Sequence, residues 1–421
     1  MKNKISILVL VMLTFLCVGC SKKVKKPDNK PKPEIPDVDY TDNFNINLIK
    51  VTRRNKNYLV SPYSIEIALN MLKEGASGET KKQIEKVVPE RKINDVSIKN
   101  KVKIANALFI KDEYKNKIKK SFSNKLVQGY NSEVLYDKFK NPDVINNWVD
   151  KNTDGMIKKV VDYIDSDFVL GLANAIAIDV KWYTKFDCMS TLKNEFTKEN
   201  GDKINVEMMH NTFDTSGFKY LKSDDAVGVI MPYESYNKKT GKEDYENGVN
   251  LEFVGILPNE DVDTYIKNLT EKSLNKLLDS GKSASSKFEI NVSLPRFKYS
   301  YEVPNFIEVL LNMGIKDAFD AEKADFTNIL AKEDMKTNLF VGEAVHKTYI
   351  DLNESGTKAA AVTYFGLKDM AAVIEEDKET ININFNKPFV YMIRDKETKE
   401  ILFFGAVYEP NLWNGSTCSE K

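Results

Sequence analysis

Two periods of apolar positions alternate along this chain. After the capping-type residue Ser61, with proline at the first helical position, Ile65, Ala68, Leu69 and Leu72 recur at i, i+3, i+4 and i+7. That spacing predicts an amphipathic helix ending at Gly75. A second helix is predicted after Gly78-Glu79-Thr80 with Ile84, Val87 and Val88 on one face, and a third through Ile145, Trp148 and Val149 towards Ile157. Helical spacing returns over 264–278 and 303–313. Apolar runs of strand length lie at 104–110 and 170–180, the second continuous enough for a strand covered on both faces. Further strands are predicted at 227–231, 251–257, 288–294, 345–352, 387–393 and 401–407, the last two joined by the polar turn 395–400. The charged stretch from Tyr233 to Gly248 follows neither period and reads as a solvated hairpin loop. With no internal repeat and no Pro/Gly-rich break after residue 40, these elements predict one α+β domain.

The first twenty residues differ from the rest. Lys2 and Lys4 precede an apolar run over 5–18, too short to span a bilayer and of the right length for the core of an export signal. It ends Leu16-Cys17-Val18-Gly19-Cys20-Ser21, which resembles a bacterial lipobox and implies cleavage before Cys20 and acylation of that cysteine. The Lys/Pro/Asp-rich composition of 21–39 predicts an extended, solvated tether. The expected divisions are therefore a lipoprotein signal peptide at 1–19, a tether at 20–39, a folded domain at 40–410 and a C-terminal tail at 411–421. The expected location is the bacterial cell surface, outside the cell, held by a lipid anchor in the membrane. Cys17 and Cys20 spell CxxC, but their apolar setting argues against redox or metal chemistry. Only Cys188 and Cys418 remain, too few for a disulfide framework, so the fold is expected to stand on its core alone.

Composition removes several function classes. Apolar residues make up 42% and aromatic residues 10% of the 421, enough for a large core. Lys+Arg and Asp+Glu both number 62, so no net charge draws the chain to nucleic acid. The two histidines, His210 and His346, lie outside any HExxH pattern, and neither a GxSxG elbow nor a phosphate-cradling glycine loop is present. No metal and no cofactor are expected.

The most informative segment begins at Asp351. A strand-like run ends in Glu354-Ser355-Gly356-Thr357, passes Ala359, Ala360 and Ala361, and continues proline-free and β-prone to residue 372. Read locally, Thr357 could cap a short Ala-rich helix. In the wider chain, the stretch resembles the hinge and reactive loop of serpins, with their Glu-x-Gly-Thr followed by small residues. Other runs are similar to the same family in the same order: VSPYSIEIALNMLKEGASGET, INNWVDKNTDGMI, LANAIAIDVKWYTKFD, VSLPRFKYSYEV, NMGIKDAF and KPFVYMIRDKETKEILFFGAVYEP, together spanning about 45–410.

The resemblance implies a single domain with three β-sheets, roughly eight or nine helices and an exposed reactive-centre loop. It implies a suicide-substrate inhibitor of serine-type, or cysteine-type, proteases, forming a covalent 1:1 complex as a monomer, and not an enzyme. The alternative it leaves open is a non-inhibitory binding or surface protein on the same fold. Sixteen residues after Glu354 the family's scissile bond falls on Met370-Ala371. Glu354, Gly356, Thr357, Ala359 and Ala361 match the hinge. Ser61, Ser64, Asn174 and His346 match the polar cluster where strands part, and Trp182 with the pair Glu354 and Arg296 matches the point where insertion begins. On insertion Thr357, Ala359, Ala361, Thr363, Phe365 and Leu367 would face inward, all small or apolar, and Lys358, Val362, Tyr364 and Lys368 outward.

Overall fold

The computed structural model describes residues 8–18, 35–88, 96–331, 333, 338–357 and 378–415. The first strand, β1 (Leu8–Val18), is the apolar run read above as an export signal. Helix α1 (Phe44–Thr52) and the short β2 (Tyr58–Val60) lead into α2 (Pro62–Gly75). The Ser61 side chain accepts the Ser64 N–H there, and proline occupies the first turn, where its missing N–H costs nothing. The first half continues with α3 (Gly78–Val87), β3 (Val102–Lys111), α4 (Lys120–Tyr130), β4 (Ser132–Asp137), α5 (Asp143–Asn152), β5 (Phe168–Ile178) and β6 (Val180–Lys181). Then follow β7 (Thr191–Thr197), β8 (Lys203–Phe213), β9 (Lys219–Lys222), β10 (Ala226–Pro232), β11 (Leu251–Pro258), α6 (Val262–Asn268) and α7 (Glu271–Asp279). The remainder is β12 (Lys282–Ser283), β13 (Phe288–Pro295), β14 (Phe297–Glu302), α8 (Phe306–Asn312), β15 (Leu339–Asn353), β16 (Gly356–Thr357), β17 (Glu379–Asn384), β18 (Phe389–Asp395) and β19 (Ile401–Val407).

The strands form three sheets among the described residues. The largest runs β4-β3-β5-β1-β15-β16-β6, with β14 also on β15; the others run β12-β9-β10-β11-β18-β19-β2 and β17-β13-β8-β7. All eleven positions of β5 are buried, as its nearly continuous apolar run, broken only by Asn174, predicts. Its Leu170, Leu172 and Ile176 enter the main core on the side of α2, while Ala173, Ala175 and Ala177 face a second cluster with Phe109 and Trp148. Alanines on that face leave room for α5 to lie close.

Four expectations change. The helical run 264–278 is two helices, because Leu269 leaves the helix in an extended conformation and Thr270 opens α7 with a capping box through Ser273. The helix through Trp148 stops at Asn152, where Asp154 and Gly155 take positive φ of 49° and 83°. The end of the tether is not wholly solvated, since Ile35 and Val38 pack on the core. Cys188 is disulfide-bonded, so the fold does not rest on its core alone.

Candidate functional site at the head of the central sheet

Strand β15 ends at Asn353, and the chain turns through Glu354 and Ser355 to return as β16. Thr357 stands opposite Leu352 on one side and Val180 on the other; Gly356 stands opposite Asn353 and Lys181. At Gly356 φ is +146°, and a Cβ would lie 2.2 Å from the Val180 carbonyl oxygen, so a side chain does not fit. Thr357 is fully buried, its Oγ1 2.5 Å from the Tyr233 hydroxyl. The Tyr233 ring stacks on Trp182 at 4.6 Å between centroids, and Trp182 Nε1 donates to the Asn353 carbonyl at 2.9 Å.

Charge is concentrated beside this turn. Arg296 Nε donates to both oxygens of Glu354 at 2.8 and 2.9 Å, its Nη2 lies 2.6 Å from Oε1, and the Thr191 hydroxyl also donates to that oxygen. The same guanidinium reaches Glu207 Oε2 at 3.3 Å. Burial by itself would lower the Arg296 pKa, but Glu354 and Glu207 outweigh it and hold the group above its usual value. One cation thus serves two buried carboxylates.

Below the turn, the sheet holds a strand in the line that β16 begins. Strand β1 lies between β5 and β15, antiparallel to both. Leu8 stands opposite Ile178, and Val9 opposite Tyr349 and Ala177. Stepping forward from Thr357 steps back along each neighbour, so the third residue on, Ala360, would meet Tyr349 and Ala177. Those are the partners of Val9, and the two flanks give the same answer independently. Strand β1 is therefore in register with a continuation of β16, up to the irregularity after Phe15.

Midway along this line sits a buried polar chain. His346 Nε2 accepts the Ser61 N–H at 3.2 Å, the Ser64 hydroxyl donates to Asn174 Oδ1, and Asn174 Nδ2 donates to Asn106 Oδ1 at 2.7 Å. All four of Ser61, Ser64, Asn174 and His346 are inaccessible to solvent. Because its Nε2 is an acceptor, His346 carries its proton on Nδ1, which has no partner among the described residues. Burial pushes its pKa down to about 3 and keeps the ring neutral.

A family model described as serpin (serine protease inhibitor) matches residues 39–410. The chain belongs to the serpin family. It is 28% identical over 458 residues to an uncharacterized serpin-like protein of Thermococcus kodakarensis, covering 96% of this chain and 98% of that one. Human neuroserpin is 26% identical over 398 residues, covering 88% and 90%. Among solved structures, the native state of the thermophilic serpin tengpin superposes with a TM-score of 0.71 at 30% identity, covering 89% of this chain and 96% of that one. Thyroxine-binding globulin in complex with thyroxine shares the fold, with a TM-score of 0.68 at 22% identity and coverage of 88% and 98%.

In this serpin the structure brings the matched residues into two groups. Trp182, Arg296, Glu354, Gly356 and Thr357 meet at the head of the sheet; Ser61, Ser64, Asn174 and His346 meet below it. Ala359, Ala361, the bond Met370-Ala371 and Cys20 lie outside the described residues. Among the described residues no group of three or more His, Cys, Asp or Glu could hold a metal. Sequence reasoning missed Tyr233, Thr191, Glu207 and Asn106. Asn106 had a readable signal, a polar residue inside the apolar run 104–110. The stretch from Tyr233 is a largely exposed loop beyond Asn237, as expected, but its start is not: Tyr233 and Tyr236 are buried, the Tyr236 hydroxyl donates to Glu234 at 2.6 Å, and Tyr236 bridges to Glu243 and Val249.

Proposed function

We propose that this serpin is a suicide substrate for serine-type proteases. The protease's nucleophile attacks the Met370 carbonyl, the Met370-Ala371 bond breaks, the Ala371 amine leaves with a proton, and an acyl-enzyme forms on Met370. Residues from Lys358 onward then zip down between β5 and β15 behind Thr357, dragging the acylated protease with them. The chain supplies no catalytic base of its own and turns nothing over. A cysteine protease fits the same scheme, because the trap needs only an acyl intermediate. The methionine suits enzymes with apolar primary pockets, such as chymotrypsin-like, elastase-like or subtilisin-like proteases.

One observation carries this reading: Gly356 and Thr357 already pair between β15 and β6, in register with an antiparallel position that accepts a full strand. The described strand there comes from Leu8–Val18, and cleavage before Cys20 vacates it for the loop. On the register above, Thr363 would take the rung between Asn174 and His346, on the inward side of the strand. A dozen new residues gain about 0.5–1.5 kcal/mol per ladder hydrogen bond and about 1.5–3 kcal/mol per large apolar side chain buried, on the order of 10–20 kcal/mol in all. A protease domain is stable by about 5–15 kcal/mol, so the pull is enough to distort its active site. Acylation of Cys20 and the Lys/Pro-rich segment after it would hold the inhibitor outside the cell at the membrane.

The test is a panel of purified serine and cysteine proteases mixed with the chain lacking residues 1–19. A 1:1 adduct that survives boiling in SDS is the predicted outcome with at least one of them. Cleavage of the loop without any adduct across the panel would instead favour a non-inhibitory binding protein.

A further inference from the structure

Strand β6 is two residues long and, among the described residues, pairs with a strand on one side only, β16. On that side Trp182 donates its N–H to the Ser355 carbonyl at 3.0 Å. Gly356 lies so close that a Cβ there would come within 2.7 Å of the Lys181 Cα. The N–H and carbonyl of Lys181 point the other way, as alternate residues of a strand do, and need partners outside the sheet. The segment after Tyr233 supplies both. Glu234 donates its N–H to the Lys181 carbonyl at 2.8 Å, and the Tyr236 hydroxyl accepts the Lys181 N–H at 3.3 Å. That hydroxyl in turn donates to Glu234 Oε2 at 2.6 Å.

Tyr236 is itself held firmly. It is 2% exposed, and its backbone exchanges hydrogen bonds with Val249 at 2.8 and 3.2 Å. The Lys101 ammonium lies 4.7 Å from the centre of its ring, and the Lys101 carbonyl accepts the Asp179 N–H at 2.7 Å. Asp179 is the one residue between β5 and β6. Stepping on from Thr357, which stands opposite Val180, the next residue of a growing strand would meet Asp179. The same group of side chains therefore fixes the rung where β16 begins and the rung that follows it.

We infer that Glu234 and Tyr236 are positioning residues for strand entry, holding β6 as a fixed wall so that the residues after Thr357 find their first partners before water hydrolyses the acyl-enzyme. A wall that moved would slow those first rungs and leave hydrolysis more time. The kinetic consequence rests on the trapping scheme proposed above; the grip on β6 does not. The charged stretch between β10 and β11 thereby acquires a role at its buried start, while its outer part stays in solvent.

Hydrogen exchange in the full chain tests the grip directly. Tyr236→Phe keeps the ring under Lys101 and removes the hydroxyl that takes the Lys181 N–H. Peptic fragments covering 180–182 and 354–357 should then exchange faster by about two- to tenfold, the factor that one hydrogen bond carries. Tyr245→Phe, on the exposed part of the same loop, should leave them as they are. Unchanged exchange in Tyr236→Phe overturns the assignment. The double variant Tyr236→Phe/Glu234→Gln removes the carboxylate left without its donor but still lacks the hydroxyl. Return of slow exchange in it would trace the effect to a stranded charge and would overturn the assignment too.

The role in entry is read from the split between trapping and plain cleavage, using the chain lacking residues 1–19 and a protease that forms an adduct with it. In Tyr236→Phe the number of inhibitor molecules consumed per adduct should rise by about two- to tenfold while the total rate of loop cleavage holds. An unchanged number contradicts the role in entry. An unaltered chain that gives no adduct with any protease sinks the trapping scheme and the role in entry with it, and the grip on β6 then stands or falls on the exchange measurement.

Discussion

Asn174 on β5 and His346 on β15 stand opposite the same backbone position, Met12 of β1, from its two sides. Their side chains reach different residues of the same helix entry, His346 taking the Ser61 N–H and Asn174 the Ser64 hydroxyl. The two flanks of the central position are thus separately tied to the start of α2. Each keeps its bond to the start of α2 while a strand lies between them, so the sheet holds an extra strand without breaking either tie.

The leader should act as a decoy for that position. Because β1 holds the register that residues after Thr357 would need, a chain retaining residues 1–19 has no open line between β5 and β15. The full-length chain is expected to be cut by a target protease without forming a boiling-resistant adduct, and the chain lacking 1–19 to form one. Equal adduct yields from the two, read on SDS gels, would contradict this.

Thr357→Arg should convert inhibitor to substrate. The threonine is fully buried with its hydroxyl on Tyr233, and a guanidinium there has no carboxylate partner on Thr357's own rungs, Leu352 and Val180. An unpaired buried charge costs several kcal/mol, enough to stall the first step of insertion. Stopped-flow or gel assays should show the loop cleaved at an undiminished rate and adduct lost.

Arg296→Ala should be worse than Glu354→Gln. The first leaves Glu207 and Glu354 buried together without their cation, while the second keeps a hydrogen-bonding side chain and leaves Arg296 with Glu207. Breaking a buried pair in the first way costs about 3–5 kcal/mol. Denaturant unfolding of the two variants should separate them by more than about 1 kcal/mol, with Arg296→Ala the less stable.

Acid should expose His346. The folded pKa is pushed down to about 3 from an ordinary value of 6.5, so between those values the unfolded chain binds a proton that the folded chain refuses. Stability is then complete above about pH 6.5 and falls as pH drops towards 3, by about 3 kcal/mol at pH 4.5. His346→Gln keeps an acceptor for the Ser61 N–H but cannot titrate, and its unfolding free energy should lose that slope over the same window. Parallel pH profiles for the two proteins would refute the assignment.

Much of this architecture was legible because burial leaves a local mark. The nearly continuous apolar run of β5 and the Ser61-Pro62 entry to α2 each follow from side-chain pattern at single positions, whereas Gly356-Thr357, which read locally as a helix start, was placed as a hinge only by its resemblance to serpin sequences. What escaped was set by partners far along the chain. Tyr233 looked like the start of a charged loop, yet its neighbours are Trp182 and Thr357, at sequence separations no period encodes. Glu207 and Thr191 likewise gain meaning only once β7 and β8 bring them to Arg296 and Glu354. The Cys188 disulfide was missed because a cysteine count cannot see which cysteines the fold brings together.

The central claim is that the native chain is kinetically held and that a cut in the loop releases it into a more stable sheet. The most direct measurement is the melting temperature of the chain lacking residues 1–19, before and after a single cut near Met370. Insertion on the order of 10–20 kcal/mol predicts that the nicked protein melts tens of degrees higher than the intact one. A nicked protein that melts at the same temperature, with β5 and β15 not separated by residues 358 onward, would contradict it.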